Sequence, residues 1–191
     1  MLMLSRLSLS DGRGVAEWVA NRYRIHQRLC MAFDEQPRRL LWALPGERTV
    51  IVQHDTPADW VRAFSDFPAL SGVTTVPHVV PTRQARFWLD ACPARCAAAT
   101  HRRQALRDPV DLMGWFKRKA EAAGFLPTAL SIGARRFEVS HKGRGAPQVH
   151  YSVYYHGSLY VRDGERFATA VAGGIGPAKG YGFGLLLTMP T

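Results

Sequence analysis

Tyr23 and His26 are the two side chains whose types and spacing suggest proton chemistry. They lie three residues apart in a stretch with helical spacing, so both rings fall on one helical face. An imidazole accepts and donates a proton near neutral pH. Cleavage of RNA by its own 2′-hydroxyl needs little more: that hydroxyl loses a proton, the leaving 5′-oxygen gains one, and the phosphorane is stabilised. A histidine on a helix flank is nevertheless more often a packing or surface residue.

A glycine-rich segment near the end of the chain is the second candidate. Residues 173–184 read GGIGPAKGYGFG, and six glycines in twelve residues are too many for a helix or an ordinary strand. Glycine lets the backbone approach a ligand and adopt positive φ, so that amides can point at a phosphate. Neither a Walker pattern nor the strand–glycine–helix order of a dinucleotide site is present. We predict a loop that cradles a nucleic-acid backbone, against the alternative of a structural connection. Its predicted contacts are Lys179, Gly174, Gly176, Gly180 and Gly182.

No group of residues has the spacing of a metal or cofactor site. Cys92 and Cys96 lack the CxxC spacing, and no second cysteine pair completes a zinc site. We therefore predict no metal, no cofactor and a reducing compartment, the cytoplasm. No stretch approaches the ~20 apolar residues of a membrane span. The arginine within the opening MLMLSRLSL favours a first strand over a signal peptide.

The charge balance indicates a polyanion as the partner. The chain has 25 Lys plus Arg against 15 Asp plus Glu, a net charge of +10, and residues 96–191 carry 13 of these basic groups but only 6 acidic ones. Such a charge favours nucleic acid through long-range attraction and counterion release. Arginine-rich codon usage is the alternative explanation for the 21 arginines. The predicted RNA contacts of the second half are Arg102 and Arg103 before a helix, and Arg135, Arg136, Lys142 and Arg144 on or near a hairpin.

The strands and helices that must position these residues are predicted in the same order in each half of the chain. The first half predicts a strand over 1–9, one helix from 15 to about 33, a hairpin over 40–54, a short helix after Pro57 and a strand over 73–80. The second half predicts a strand over 85–92, a helix over 109–123 capped by Asp108, strands over 130–139 and 149–161, a helix capped by Asp163 and a strand over 183–189. Each half reads βαββαβ. We predict an α+β protein of two tandem ferredoxin-like (RRM-like) domains, 1–82 with the candidate catalytic helix and 83–191 with the basic surface and the glycine-rich loop.

These motifs together resemble the CasE family, the CRISPR precursor-RNA endoribonucleases of type I-E systems. The resemblance covers nearly the whole length: the strand MLMLSRLSL, the helix YRIHQRLCMAF of residues 23–33, the strand RFWLDACP of residues 86–93 and the loop GIGPAKGYGFGLL of residues 174–186. Two positions depart from the family pattern. Pro177 stands where relatives often have a basic residue, and WLDACP stands where they usually have RLRANP.

The resemblance implies an activity, residue roles and partners. Family members cut a repeat-derived stem-loop RNA without a metal ion by 2′-hydroxyl attack, leaving a 2′,3′-cyclic phosphate and a 5′-hydroxyl. It implies His26 as general base or acid and Tyr23 as the residue that positions the scissile phosphate. It implies CRISPR repeat stem-loop RNA and the other subunits of the type I-E Cascade complex as partners, and no membrane.

Two alternatives remain open from the residues themselves. One is a non-catalytic stem-loop RNA-binding module of the same fold and charge. The other is a small-molecule enzyme on a ferredoxin-like scaffold, which predicts a compact apolar pocket and has no use for the net charge. The strand aromatics Tyr151 and Tyr155 either stack on bases or belong to the core.

Overall fold

The computed structural model describes residues 1–35, 37, 39–96, 103–141 and 146–191, which divide into two compact units. Unit 1 comprises Met1–Val79, Val139–Val149 and Lys179–Gly182. Unit 2 comprises Val80–Glu138, His150–Ala178 and Phe183–Thr191. Two segments of the second half, including part of the glycine-rich segment, therefore pack with unit 1.

Unit 1 contains a four-stranded antiparallel sheet with helices inserted between its strands. Its elements are β1 Met3–Leu9, α1 Arg13–Val19, α2 Arg22–Cys30, β2 Leu41–Gly46, β3 Thr49–His54, α3 Trp60–Ala63 and β4 Leu70–Pro77. The strand order is β2-β3-β1-β4, with Met3 opposite His54 on one side and Pro77 on the other. This is the ferredoxin-like order, with the first and third strands in the centre.

The core of unit 1 lies between this sheet and its helices. Leu7 and Leu9 alternate with polar residues along β1, and they are buried together with Ile25 and Leu29 of α2. Burial of each such side chain contributes about 1.5–3 kcal/mol. The apolar face of α2 therefore determines which side of that helix remains accessible.

The predicted single helix over 15–33 is wrong, because the structure contains two helices. Asn21 separates them with extended backbone angles, and its side chain accepts a hydrogen bond from the amide of Tyr23 at 3.1 Å. Asparagine at this position satisfies an amide that the first turn of a helix leaves unpaired. The continuous apolar spacing concealed this break.

Unit 2 repeats the same strand order with one addition. Its elements are β5 Gln84–Ala91, β6 Ala94–Cys96, β7 Arg103–Ala105, α4 Pro109–Ala122, β8 Phe125–Ser140, β9 Gln148–Val161, α5 Gly164–Gly173 and β10 Leu186–Pro190, with the last residues of β8 and the first of β9 belonging to unit 1. The sheet order is β10-β5-β9-β8, so β8 is an edge strand. The predicted α+β class with two ferredoxin-like sheets is confirmed.

The predicted helix caps of unit 2 are also confirmed. Asp108 accepts a hydrogen bond from the amide of Val110 at 2.8 Å, and Asp163 accepts one from the amide of Arg166 at 3.0 Å.

The short antiparallel pair of strands β6 and β7 was not predicted. Its residues lack the alternation of apolar and polar side chains that indicates a strand.

The remaining expectations concern membranes and thiols. None of the helices in the described part of the chain has the length and apolarity needed to cross a bilayer. The side chains of Cys30, Cys92 and Cys96 are thiols rather than halves of a disulfide.

Candidate functional site

Helix α2 carries the two candidate catalytic side chains on its less buried side. Ile25 and Leu29 face the core and are fully buried. Tyr23, His26 and Cys30 follow each other at three- and four-residue spacing and are each half-buried. The predicted helical juxtaposition of Tyr23 and His26 is therefore present, with the cap at Asn21 setting where the helix begins.

Arg22 attaches the glycine-rich segment to α2. It is only 1% exposed, and its Nη1 donates to the carbonyl oxygens of Tyr181 at 3.1 Å and Gly182 at 3.4 Å. Its guanidinium also lies 5.8 Å from the ring centre of the buried Trp42. A buried charge must be bonded to be tolerated, so Arg22 and the loop carbonyls hold each other in place. This role was not predicted, because an arginine among several other arginines is typical of an exposed helix surface.

Two glycines of the segment lie close to aromatic rings of unit 1, and at Gly182 a side chain would clash. Gly182 has φ +78°, and a Cβ built there would lie 2.5–2.7 Å from three ring atoms of Trp42. A Cβ on Gly180 would lie 3.9 Å from Nε2 of His26. The 3-10 helix Lys179–Tyr181 therefore passes its backbone close to the imidazole at Gly180, and Lys179 at the start of this helix is half-buried.

The surroundings of His26 favour a neutral imidazole. Burial lowers the pKa of His26 below its usual value. Its Nε2 lies 3.8 Å from Sγ of Cys30, whose thiol pKa is raised by burial, so the sulfur stays protonated and is a weak donor. Within the described part of the chain, Nδ1 of His26 is buried and has no hydrogen-bond partner. A neutral imidazole of this kind is suited to accept a proton near pH 7.

The described residues 139–141 and 146–149, around the end of β8 and the start of β9, also belong to unit 1. The side-chain amide of Asn21 donates to the carbonyl oxygen of His141 at 3.4 Å. The same asparagine thus caps the helix and meets the hairpin backbone. Lys142 and Arg144, predicted RNA contacts in this hairpin loop, lie outside the described residues, as does Arg102.

Gly174 and Gly176 have roles in the packing of unit 2. Gly174 ends α5 with φ 72°. Gly176 has φ +87°, and a Cβ there would meet the ring of Trp115 at 3.1–3.2 Å. The structure thus provides a folding reason for both glycines, while their predicted RNA contacts stay predictions.

The two adjacent arginines of β8 point to opposite faces of the strand, as alternation requires. Arg136 pairs with Asp90 at 2.9 Å and with Glu138 at 3.6 Å. Arg135 is exposed, and so is Arg103 in β7. The negative charges beside Arg136 make Arg135 and Arg103 the better candidates for a phosphate contact.

The strand aromatics of β9 divide between core and surface. Tyr155 is fully buried, and its hydroxyl donates to the carbonyl of Leu112 at 3.2 Å. Tyr151 is half-buried and packs against Phe137, with ring centres 5.0 Å apart. The alternative that Tyr155 stacks on a base is therefore wrong, because its ring is enclosed by the core.

Among the residues that the structure describes, no three His, Cys, Asp or Glu side chains are grouped to hold a metal ion. The helix face that carries His26 also carries the phenol of Tyr23 and the thiol of Cys30. The imidazole in this set can accept a proton and return it.

The whole chain is similar to known CRISPR proteins. A family model described as CRISPR associated protein matches residues 2–190. The chain is 31% identical to the CRISPR-associated endoribonuclease Cse3 of Thermus thermophilus, over 99% of this chain and 100% of that protein.

Solved structures extend the similarity to three dimensions. Thermus thermophilus Cse3 bound to an RNA representing a pre-cleavage complex has a TM-score of 0.85 and 30% identity, with 99% of each chain covered. Cas6e of Escherichia coli K-12 has a TM-score of 0.71 and 20% identity, with 100% of each chain covered. At that lower identity the likeness concerns the fold alone.

Proposed function

Because the chain belongs to the family of CRISPR associated proteins, we propose that it is an endoribonuclease that cuts CRISPR precursor RNA at the base of the repeat stem-loop. The relative named as an endoribonuclease matches it along its full length, and a solved relative at 30% identity is bound to RNA. The observation that carries the proposal is the position of the half-buried His26 on the same helix face as Tyr23 and close to the backbone of the glycine-rich segment. That arrangement supplies a proton acceptor next to a loop that can approach a phosphate.

In the proposed reaction the nucleophile and the leaving group both belong to the RNA. The 2′-oxygen upstream of the scissile phosphate forms a bond to phosphorus, while the bond from phosphorus to the 5′-oxygen breaks. The proton of the 2′-hydroxyl goes to a base, and the leaving 5′-oxygen receives one. The products are a 2′,3′-cyclic phosphate and a 5′-hydroxyl, without a metal ion or water as nucleophile.

We assign the proton transfer to His26 and the positioning of the scissile phosphate to Tyr23. A neutral imidazole accepts the 2′-hydroxyl proton, and the resulting imidazolium is strongly acidic in a partly buried site, which suits return of the proton to the leaving oxygen. A general base or acid of this kind contributes about 10²–10⁴-fold to the rate. Lys179 supplies positive charge in the same segment as Gly180.

RNA binding is assigned to the basic groups outside α2. A-form RNA hides its base edges in a deep, narrow groove, so a stem is held mainly through shape and phosphates. Arg103 and Arg135 are exposed and suited to that role. The domains 1–82 and 83–191 then divide catalysis from binding, with Val139–Val149 and Lys179–Gly182 as the parts of the second domain that belong to unit 1.

The nucleophile provides the decisive test. A stem-loop RNA carrying one 2′-deoxy nucleotide upstream of the scissile phosphate should bind normally and resist cleavage, while the all-ribose RNA is cut in the presence of a strong chelator. Normal cutting of the deoxy substrate, or loss of cutting on chelation, would mean that water attacks and that the roles of His26 and Tyr23 are wrong.

Substitution of His26 distinguishes a cleaving enzyme from a non-catalytic RNA-binding module. His26→Ala should lower the single-turnover cleavage rate at least ~10²-fold and leave stem-loop affinity within about twofold. His156→Ala, a half-buried histidine on β9, is the matched control and should cut normally. A wild-type protein that binds the stem-loop but never cuts it would support the non-catalytic alternative.

The proposal extends to the fate of the protein after cleavage. We propose that the protein remains on its product and joins the type I-E Cascade complex. Co-purification of the tagged chain with the processed RNA and the other subunits would support this, and recovery of the RNA-free chain alone from cells expressing all components would contradict it.

A further inference from the structure

An exposed aromatic cluster on unit 2 has no role in the cleavage described above. Phe137 of β8 is 61% exposed although it is a large apolar side chain. Its ring centre lies 5.0 Å from that of Tyr151 on the neighbouring strand, with the rings tilted by 51°. Edge strands of soluble proteins usually carry charges rather than such rings, because exposed apolar edges promote association. An exposed aromatic ring on this edge strand therefore indicates a binding surface.

A guanidinium completes this cluster. The Cζ atom of Arg107 lies 5.4 Å from the ring centre of Phe137 and 6.0 Å from that of Tyr151. Within the described part of the chain Arg107 forms no ion pair. The neighbouring carboxylate of Asp108 is turned to the amides of Val110 and Asp111, where it caps α4. The positive charge at the rings is therefore not neutralised by the acid beside it.

The chemistry of this cluster fits a nucleotide whose base is not paired. A base has two flat faces that stack on aromatic rings, and its phosphate pairs with a guanidinium. In a duplex those faces are hidden between neighbouring base pairs, so only a single-stranded nucleotide or a helix end offers one. Arg135 lies two residues from Phe137 on the same side of β8 and adds charge for the backbone.

We propose that Phe137, Tyr151 and Arg107 form a stacking subsite for one unpaired base of the RNA that flanks the stem-loop. The proposal rests on the proposed function, since it adds a subsite for the same substrate. It assigns to unit 2 a preference for RNA with a single-stranded extension over the bare stem-loop. Phe137 supplies the apolar surface, and Arg107 supplies the charge next to the phosphate of the stacked nucleotide.

The test compares two RNAs and four proteins. One RNA is the stem-loop with its single-stranded flanks and the other is the stem-loop alone, both with an uncleavable 2′-deoxy nucleotide at the scissile position. The proteins are wild type, Phe137→Ala, Phe137→Trp and Leu126→Ala. Leu126 is the matched control, because it is an exposed apolar residue of the same strand.

Phe137→Ala should weaken binding of the flanked RNA by roughly 5- to 100-fold, the range typical of a lost stacking ring, and should leave the bare stem-loop unaffected. Phe137→Trp should retain the wild-type difference between the two RNAs, and Leu126→Ala should behave as wild type. A fluorescent 2-aminopurine placed at successive flanking positions should be quenched at one position by the wild type and not by Phe137→Ala.

Other outcomes overturn the inference in distinct ways. Equal affinities of wild type and Phe137→Ala for the flanked RNA would mean that the cluster binds no base, and would refute the inference. Equal weakening for both RNAs would mean that Phe137 contacts the stem or supports the fold. Failure of the wild type to bind either RNA would instead refute the proposed function.

Discussion

Replacing Gly182 by alanine should destabilise the protein and slow its cleavage reaction together. The new Cβ would lie 2.5, 2.6 and 2.7 Å from three ring atoms of Trp42, which is fully buried. The backbone at φ +78° adds a second cost, since L-residues in this region lose about 1–2 kcal/mol. Overpacking of a core adds about 1–3 kcal/mol. The free energy of unfolding should therefore fall by roughly 2–5 kcal/mol.

Displacement of the loop would relieve part of this strain but would carry its own penalty. The carbonyl of Gly182 and that of Tyr181 accept hydrogen bonds from the buried Arg22. If the loop moves away, that guanidinium loses partners that it cannot replace inside the core. The same movement takes Gly180 away from His26, so the cleavage rate should fall even in protein that remains folded.

Chemical denaturation and single-turnover cleavage of the stem-loop RNA are the two measurements. Gly173→Ala is the control, because a Cβ there meets nothing within 4 Å and its φ is not in the positive region. That substitution at the end of α5 should change the free energy of unfolding by no more than about 1 kcal/mol. Equal stabilities for Gly182→Ala and Gly173→Ala would refute the close packing between the loop and Trp42.

Three further outcomes are expected from the charges and histidines. Because burial lowers the pKa of His26, a general base there predicts a cleavage rate that rises with pH, with the midpoint of the rise below about pH 6.5; a midpoint above that value would contradict the role. Burial also lowers the pKa values of His54 and His78, so below about pH 6.5 the unfolded chain binds more protons than the folded chain does. In urea denaturation the free energy of unfolding should therefore decrease as the pH falls below about 6.5, and should not change with the ionisation of these histidines at higher pH. Arg135→Ala should reduce the slope of log K against log[salt] for the stem-loop by about 0.7–0.9, whereas Arg136→Ala should change it less because Asp90 already pairs with that guanidinium; a wild-type slope for Arg135→Ala would remove Arg135 from the interface.

Much of the architecture could be predicted because local patterns agree with the final packing. Strand alternation in β1 and the cap residues Asp108 and Asp163 mark element boundaries that depend on near neighbours alone. The helix break at Asn21 was hidden, since the apolar spacing continues across it and only the cap geometry interrupts the helix. The small sheet of β6 and β7 was hidden for the opposite reason, because its side chains show no alternation to detect.

The candidate site was predictable in part for a similar reason. Tyr23 and His26 are close in sequence, so helical spacing is sufficient to bring them together. The carbonyls that Arg22 binds lie far away in the chain, and no local pattern connects residue 22 to residues 181 and 182. The steric need for Gly182 likewise depends on Trp42 of β2, which is far away in the chain.

The late position of Lys179–Gly182 in the chain has a consequence for how the protein matures. Synthesis proceeds from the N-terminus, so Arg22 leaves the ribosome long before the carbonyls of Tyr181 and Gly182 that it binds. Docking of α2 against its loop must therefore wait until nearly all of unit 2 has been made. A chain interrupted by a stalled ribosome or a protease ahead of the glycine-rich segment would keep α2 without this anchor. The proposed catalytic site is therefore complete only after residues 179–182 have been synthesised, and a chain that ends before them should lack both the anchor and the cleavage activity.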